Sequence, residues 1–468
     1  MGALVQVSDE PAASPRAWAG RDLVAAGLAL AAFAVLCAVV LSVAPRLIEP
    51  DDYAYRASIV AMTQGHFLTL STAQVDALAA QLPGPGGGLV PGGIPQWVQL
   101  PGGQWISEKD PGYPFLAAPF QALGVIRLAP LFYGALGCLG LYAGARRWLG
   151  RWGGPVAVGL FCSSGAAMLF AWRDYMPTFT DASLIAAGTG ALLWAVLATG
   201  ASTARRTAAG LAGFVALEAA TFVRYTNIVV LGCAAVAVVV AWRIRAARLP
   251  AAALAWWLGS VTAFGAGVAI FDDLVYGGPL TSGYRPGEIT FSLGAVLPNL
   301  RYMPAHLIEA MPMLVLGLAG LGWIIGRWAR LRRAGGEPAA RARRDLAVGL
   351  ALAASWSGVW GLYAAYTWTA APFLSTLQAA RFYLPALGAI ALLGAWFLVQ
   401  CGAWLAARAP RRTLLAPTSA VLVVAVTFGL GAGSFAAMRD FSLGGLKVVH
   451  GGPPGQPLPG VRGPAGRS

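Results

Sequence analysis

Long apolar runs separated by short polar breaks make up most of this chain. The first, Leu23 to Val43, holds 21 uncharged residues; about 20 are enough to cross a bilayer core. It follows a leader carrying Arg16 and Arg21 and is too long for the apolar core of an ordinary signal peptide, so it predicts a signal anchor that stays. Further runs cover 128–145, 154–171, 181–199, 208–223, 226–242, 251–271, 303–326, 346–366, 382–407 and 414–436. The pattern predicts an all-α polytopic membrane protein with about 11 transmembrane helices. The run at 208–223 is short, carries Glu218 and is followed almost at once by its neighbour, so the two read as a hairpin or a broken helix. The apolar stretch 113–126 is too short to span and reads as a segment that dips into the membrane or lies on its surface.

Between these runs the longest polar segment is residues 46–113. From Asp51 to about Gln64 it predicts a helix capped by Asp51 or Asp52. From Leu82 to Gly103 it is rich in Gly and Pro and predicts a flexible loop. The division expected from sequence is an N-terminal segment at 1–21, a transmembrane domain at 22–436 that includes this loop, and a Gly/Pro-rich disordered tail at 437–468. No internal repeat is evident.

Composition supports the membrane assignment. Hydrophobic residues are 57% and charged residues 11% of the 468, against roughly 25% charged in soluble domains. Too little charge is present to cover a soluble surface of this size or a large soluble catalytic domain. The net charge of +14 would suit a nucleic-acid binder, but the positions of the charges argue against one. With the N-terminus inside, most basic residues fall in short inside loops: Arg146, Arg147 and Arg151; Arg205 and Arg206; Arg243, Arg245 and Arg248; the cluster 327–344; and Arg408, Arg411 and Arg412. This is the positive-inside pattern, and the 327–344 cluster is a topology anchor beside anionic lipid. It predicts a multi-pass protein of the inner (plasma) membrane with a cytoplasmic N-terminus. The abundance of Arg, Ala and Gly points to a GC-rich bacterial genome. The five cysteines sit in apolar runs and the three histidines form no cluster, which reads as no zinc site and no disulfide framework; no metal ligand set is assigned, and a divalent metal requirement stays open.

The acidic residues crowd instead at the outer ends of the runs. Glu49-Pro50-Asp51-Asp52-Tyr53 follows the first span; adjacent carboxylates at a membrane surface suit either a helix cap or a proton acceptor. Glu108-Lys109-Asp110-Pro111-Gly112-Tyr113-Pro114 stands where the loop returns to the membrane, and Lys109 is one of only two lysines. An ammonium there suits a lipid phosphate or an interfacial anchor. Trp172-Arg173-Asp174-Tyr175-Met176-Pro177 reads first as a tight polar turn with a local Arg173–Asp174 pair. Arg224 ends one apolar run, and Tyr276 to Arg285 form a Gly-rich loop closed by Tyr284 and Arg285. Arg381, in Arg381-Phe382-Tyr383-Leu384-Pro385, is a lone cation on the face where the positive-inside rule disfavours it, and is a functional candidate by default. Walker A, GxGxxG and GxSxG signatures are missing.

Taken together, these motifs resemble the polytopic C-type glycosyltransferases (GT-C), in particular the protein-mannosyltransferase and aminoarabinose-transferase-like branch, over roughly residues 22–407. The carrying elements are the acidic pair Asp51-Asp52 after the first helix, the helix up to Gln64-Gly65-His66-Phe67, the Lys109–Pro114 element, the Tyr276–Tyr284 loop, and Arg381 to Pro385. Two features depart from the pattern. Arg56 stands farther from the acidic pair than the arginine of the aminoarabinose branch, and no counterpart is seen of the soluble C-terminal domain of some relatives.

The resemblance implies a GT-C-like fold and sugar transfer from a polyprenyl-phosphate donor to an acceptor hydroxyl of a glycan, lipid or protein on the extracytoplasmic face. It implies Asp51 or Asp52 as the catalytic base, and Lys109 and Arg381, helped by Arg224 or Arg285, as the donor-phosphate site. Tyr53, Asp110, Tyr113, Asp174, Tyr284 and Tyr383 are the expected substrate-binding residues. Sugar and acceptor are not specified, and nucleic acid is no partner. The competing class is a multi-pass transporter or lipid flippase, which should show inverted repeats and polar broken helices at mid-depth; a non-catalytic membrane scaffold leaves the outer acid–lysine–arginine set unexplained.

Overall fold

The structure is a computed structural model that describes residues 15–67, 69–82, 94–100, 102–243, 249–279, 281–284, 287, 289–333, 335–370, 376–408 and 415–450. Its helices are α1 (Pro15–Leu41), α2 (Pro50–Thr63), α3 (Thr72–Gln81), α4 (Gly112–Ala122), α5 (Leu128–Leu149), α6 (Gly153–Cys162), α7 (Gly165–Trp172), α8 (Thr178–Leu197) and α9 (Thr203–Val223). They continue with α10 (Ile228–Arg243), α11 (Ala251–Tyr276), α12 (Val296–Ala310), α13 (Leu314–Leu331), α14 (Gly336–Ala364), α15 (Thr376–Tyr383), α16 (Leu387–Arg408) and α17 (Leu415–His450). A two-stranded antiparallel hairpin, β1 (Trp97–Gln99) and β2 (Trp105–Ser107), completes the described elements.

Ten helices are long and apolar enough to cross a membrane, or eleven segments if the bent pair α6–α7 is one span. The protein is a multi-span α-helical membrane protein, as the apolar pattern predicts. Leu23, Leu30, Leu274 and Val236 are mostly exposed. Such bare apolar faces are stable only where lipid replaces water.

The breaks differ from the sequence reading in places. The run 154–171 is bent by 63° between α6 and α7. Ser164 caps α7 by accepting the Ala167 N–H at 3.1 Å, and the Ser163 hydroxyl donates to the Leu160 carbonyl at 2.9 Å, so the freed backbone groups are satisfied. The run 303–326 is two helices: α12, with Pro304 inside it, ends at Ala310 and α13 begins at Leu314. The runs 208–223 and 226–242 are separate helices joined by a 3-10 turn at Tyr225–Asn227. Part of the expected flexible loop is ordered as β1, while 83–93 lie outside the described residues. The last helix reaches His450, beyond residue 436 where the expected tail begins; 451–468 also lie outside the described residues.

Packing centres on α5, α8 and α16. Small residues let α5 and α8 meet backbone to backbone, the usual route to association where lipid is the solvent. A Cβ on Gly190 would lie 2.1 Å from the Gly140 carbonyl oxygen, so only glycine fits there. Cavity-wall segments gather at one end of this core: the start of α2, the turn before α4, the α9–α10 junction, the end of α14 and the end of α15.

Candidate active site

The site begins with how α2 starts. Glu49 is its N-cap and Pro50 stands at the first turn, where a missing N–H costs nothing. Asp52 Oδ2 accepts the backbone N–H groups of Ile48 and Glu49 at 2.8 and 2.9 Å. Asp52 therefore ties down the helix start from its third position, while Glu49 holds the cap position expected for Asp51 or Asp52. Helical spacing then separates the two aspartates. Asp51 and Tyr55, four apart, share a face that lines a cavity. Asp52 turns inward against Arg173.

From there a continuous chain of charge crosses four distant segments. Arg173 donates through Nη2 and Nε to Asp52 at 2.6 and 3.2 Å, and through Nη2 to Glu49 Oε2 at 3.1 Å. Glu49 Oε2 also accepts from Arg381 Nη1 at 2.8 Å. The same Nη1 donates to Asp51 Oδ2 at 2.7 Å. Asp51 Oδ1 lies 3.2 Å from Lys109 Nζ, which approaches Glu108 at 3.5 Å and donates to the Tyr284 hydroxyl at 3.3 Å. Arg173 and Asp52 are each only 1% exposed. Charges this deep persist only when paired and hydrogen-bonded, as these are.

A second group adjoins the first. Arg224, at the end of α9, pairs with Asp181 at 3.3 Å and donates to the Arg381 carbonyl and the Thr178 hydroxyl, both at 3.1 Å. Asp110 accepts the Tyr225 N–H at 3.3 Å. Glycine is required at 283, where a Cβ would come within 2.5 Å of the Glu108 backbone; this close approach lets Tyr284 reach Lys109.

These groups wall a cavity of ≈ 410 Å³. Glu49, Asp51, Lys109, Asp110, Arg224 and Arg381 supply its charge. Tyr363, Tyr366, Trp368, Phe382 and Phe291 supply an aromatic wall, with the Arg381 guanidinium 5.0 Å from the Trp368 ring and 4.7 Å from that of Phe382. A void of ≈ 30 Å³ also touches Lys109 and has room for about one water.

Burial pushes the Asp51 carboxyl up, but Arg381 and Lys109 more than offset it and hold its pKa well below the usual range. Burial works against the Lys109 charge, and Asp51 overrides it, so its pKa is raised. Asp110 is reached from the cavity yet surrounded by protein, and burial raises its pKa to about 7 against the pull of the Tyr225 N–H, Arg224 and Lys109. Among the described residues no group of three or more His, Cys, Asp or Glu side chains is arranged to hold a metal ion.

No family model matches the chain, and no curated protein matches it. Solved structures do. ArnT from Cupriavidus metallidurans in the apo state superposes with a TM-score of 0.50 at 14% identity, covering 92% of this chain and 77% of that one. The chain has the GT-C fold. ArnT bound to undecaprenyl phosphate gives a TM-score of 0.46 at 15% identity, over 93% of this chain and 78% of that one. The Archaeoglobus fulgidus oligosaccharyltransferase in the apo form gives 0.48 at 12% identity, over 87% of this chain and 56% of that one, so this chain spans just over half the length of the archaeal enzyme.

Within this GT-C fold, Asp51, Lys109, Asp110, Arg224, Tyr284 and Arg381 line this cavity. The other expected residues do not. Asp52 is sealed under Arg173. Tyr53 does not line the cavity, and Tyr113 is fully buried with its hydroxyl donating to the Asp174 carbonyl. Asp174 and Tyr383 are buried outside the cavity lining. Arg285 lies outside the described residues. The local Arg173–Asp174 pair does not form, because Arg173 reaches Asp52 and Glu49 instead. Glu49, Arg173, Asp181 and the aromatic wall were not assigned from sequence. Gln96 was also missed: it lines the cavity, hydrogen-bonds Asp51, and is the one non-glycine residue with positive φ (59°) among the described residues. Strain of this kind collects at functional sites.

Proposed function

We propose that this protein is a membrane glycosyltransferase that moves a sugar from a polyprenyl-phosphate donor to an acceptor hydroxyl on the extracytoplasmic face. The observation that carries the reading is Asp51 gripped by Lys109 and Arg381, two cations from segments 272 residues apart (109 to 381), on the wall of one cavity. Two cations set this close around an anion suit the phosphate of a lipid-linked sugar, which gains negative charge as it leaves. In this reading the donor phosphate displaces the Asp51 carboxylate from its seat between them. Arg224 adds a third positive charge at the wall, and the aromatic side chains supply flat faces for a sugar ring.

The proton acceptor must be a carboxylate that meets the substrate. Asp52 does not reach the cavity, which leaves Asp51, Asp110 and Glu49, the last bound by both Arg173 and Arg381. The GT-C fold supports the reaction class. Helix ends support the sidedness: Arg205 begins α9 and Arg224 follows it, Arg341 to Arg344 lie near the start of α14 and Tyr363 near its finish, so basic clusters and cavity stand at opposite ends.

The test is transfer of label from a panel of polyprenyl-phosphate sugars (mannose, arabinose, galactose) to membranes with and without the full chain. Transfer that depends on the chain and falls on Lys109→Ala supports the reading. A chain that instead moves the intact lipid-linked sugar across vesicles without breaking its glycosidic bond is a flippase.

A further inference from the structure

The carboxylates of the cavity differ in how far they are committed to partners. Asp51 has Lys109 on one oxygen and Arg381 on the other. Glu49 divides one oxygen between Arg173 and Arg381. Asp110 accepts a single hydrogen bond, from the Tyr225 N–H, and makes no ion pair among the described residues. It also adjoins Lys109 in the chain, so one turn of backbone presents an ammonium and an uncommitted carboxyl to the same cavity.

We propose that Asp110 takes the proton of the acceptor hydroxyl, and that Asp51 is the counter-ion that holds Lys109 and Arg381 in position until the donor phosphate displaces it. The inference rests on the transferase reading above. The acceptor oxygen forms a bond to the anomeric carbon. The bond from that carbon to the phosphate oxygen breaks, and its electron pair stays on the phosphate. The hydroxyl proton passes to Asp110 and leaves from there to water. The phosphodiester gains one negative charge and one proton is released, so the step balances.

The surroundings fit this division. Asp110 is faced by Lys109 beside it, Arg224 and Tyr225 from the α9–α10 junction, and Asp272 and Tyr276 from α11. Tyr55 of α2, Tyr284 of the Gly-rich loop and Tyr363 of α14 complete the shell. Burial and Asp272 favour its neutral form, while Tyr225, Arg224 and Lys109 favour its charged form; the outcome, about 7, suits an acceptor that must take up and give back a proton near neutral pH. Asp51, held low by its two cations, is a poor proton acceptor there.

The experiment uses the full chain in proteoliposomes supplied with a membrane extract as the source of acceptor hydroxyls, with undecaprenyl phosphate as the binding probe and its labelled mannosyl, arabinosyl and galactosyl forms as donors. Asp110→Asn should bind undecaprenyl phosphate within about twofold of wild type, lose transfer by about 100-fold or more, and lose the rise of transfer with pH around 7. Asp110→Glu should restore part of the transfer together with a pH-dependent rise. Asp51→Asn should keep that rise. Infrared difference spectra between wild type and Asp110→Asn should show a carboxyl band that titrates near pH 7. Wild-type transfer by Asp110→Asn, an unaltered pH profile, or loss of undecaprenyl phosphate binding with no rescue by Asp110→Glu would each overturn the assignment. Absence of transfer by the wild type, with probe binding intact, refutes the transferase reading itself and the assignment with it.

Discussion

Asp51→Asn should tighten the binding of a lipid phosphate, an outcome opposite to that usual for a site residue. Asp51 sits 3.2 Å from Lys109 and 2.7 Å from Arg381, in the seat proposed for the donor phosphate. An incoming phosphate must share or take over both cations. A carboxylate and a phosphate about 6 Å apart across shared cations repel by about 3 kcal/mol at an effective dielectric constant near 20. Water in the open cavity and salt reduce this by about half, to roughly 1.4 kcal/mol, which is about tenfold in affinity. The asparagine keeps the side-chain shape and removes the charge. The assay is titration of undecaprenyl phosphate into the purified chain in nanodiscs, following the fluorescence of Trp368 at the cavity wall, with Lys109→Ala as a variant that should weaken binding. Equal or weaker binding by Asp51→Asn would refute the idea that this carboxylate occupies the phosphate seat.

Other outcomes follow from the same contacts. Arg173→Met leaves Asp52 and Glu49 buried without their shared cation, a loss worth about 3–5 kcal/mol; thermal unfolding in detergent should drop sharply, and an unchanged midpoint would show that the pairs contribute little. Asp174→Asn addresses a carboxyl that burial raises, with Asp52 adding and Arg127 opposing, from an ordinary 3.8 to about 7. Between those values the folded chain holds a proton that the unfolded chain has lost, so wild-type stability falls as pH rises toward 7; the substitution should raise the melting temperature more at pH 8 than at pH 5, and a larger gain at pH 5 would reverse the argument. Gly190→Val drives a side chain into the Gly140 carbonyl and should collapse the yield of folded protein, while Gly232→Ala, which meets nothing within 4 Å, should not; equal yields would contradict the close α5–α8 contact.

Much of this was legible in the chain because lipid leaves few uses for charge. Lys109 stood out as one of only two lysines, set between two acids, and Arg381 as a lone cation where the positive-inside rule disfavours one, and both line the cavity. Asp51 and Asp52 looked equivalent as adjacent letters; only the helical turn, with Arg173 waiting on one side, separates them. Arg173 was misread because Asp174 follows it, while its partner Asp52 lies 121 residues away and no local pattern reports that pairing. Tyr363, Tyr366 and Trp368 carry no signal of their own, since aromatics at a span end also form interfacial belts. The bend at Ser163–Ser164 was hidden inside one apolar run because two serines are cheap to bury once they bond the adjacent backbone.

The most direct measurement is an electron cryo-microscopy structure of the chain with undecaprenyl phosphate. The account predicts phosphate density between Lys109 and Arg381, with Asp51 displaced from both cations. Phosphate bound elsewhere, with the Asp51 clamp still closed, would contradict it.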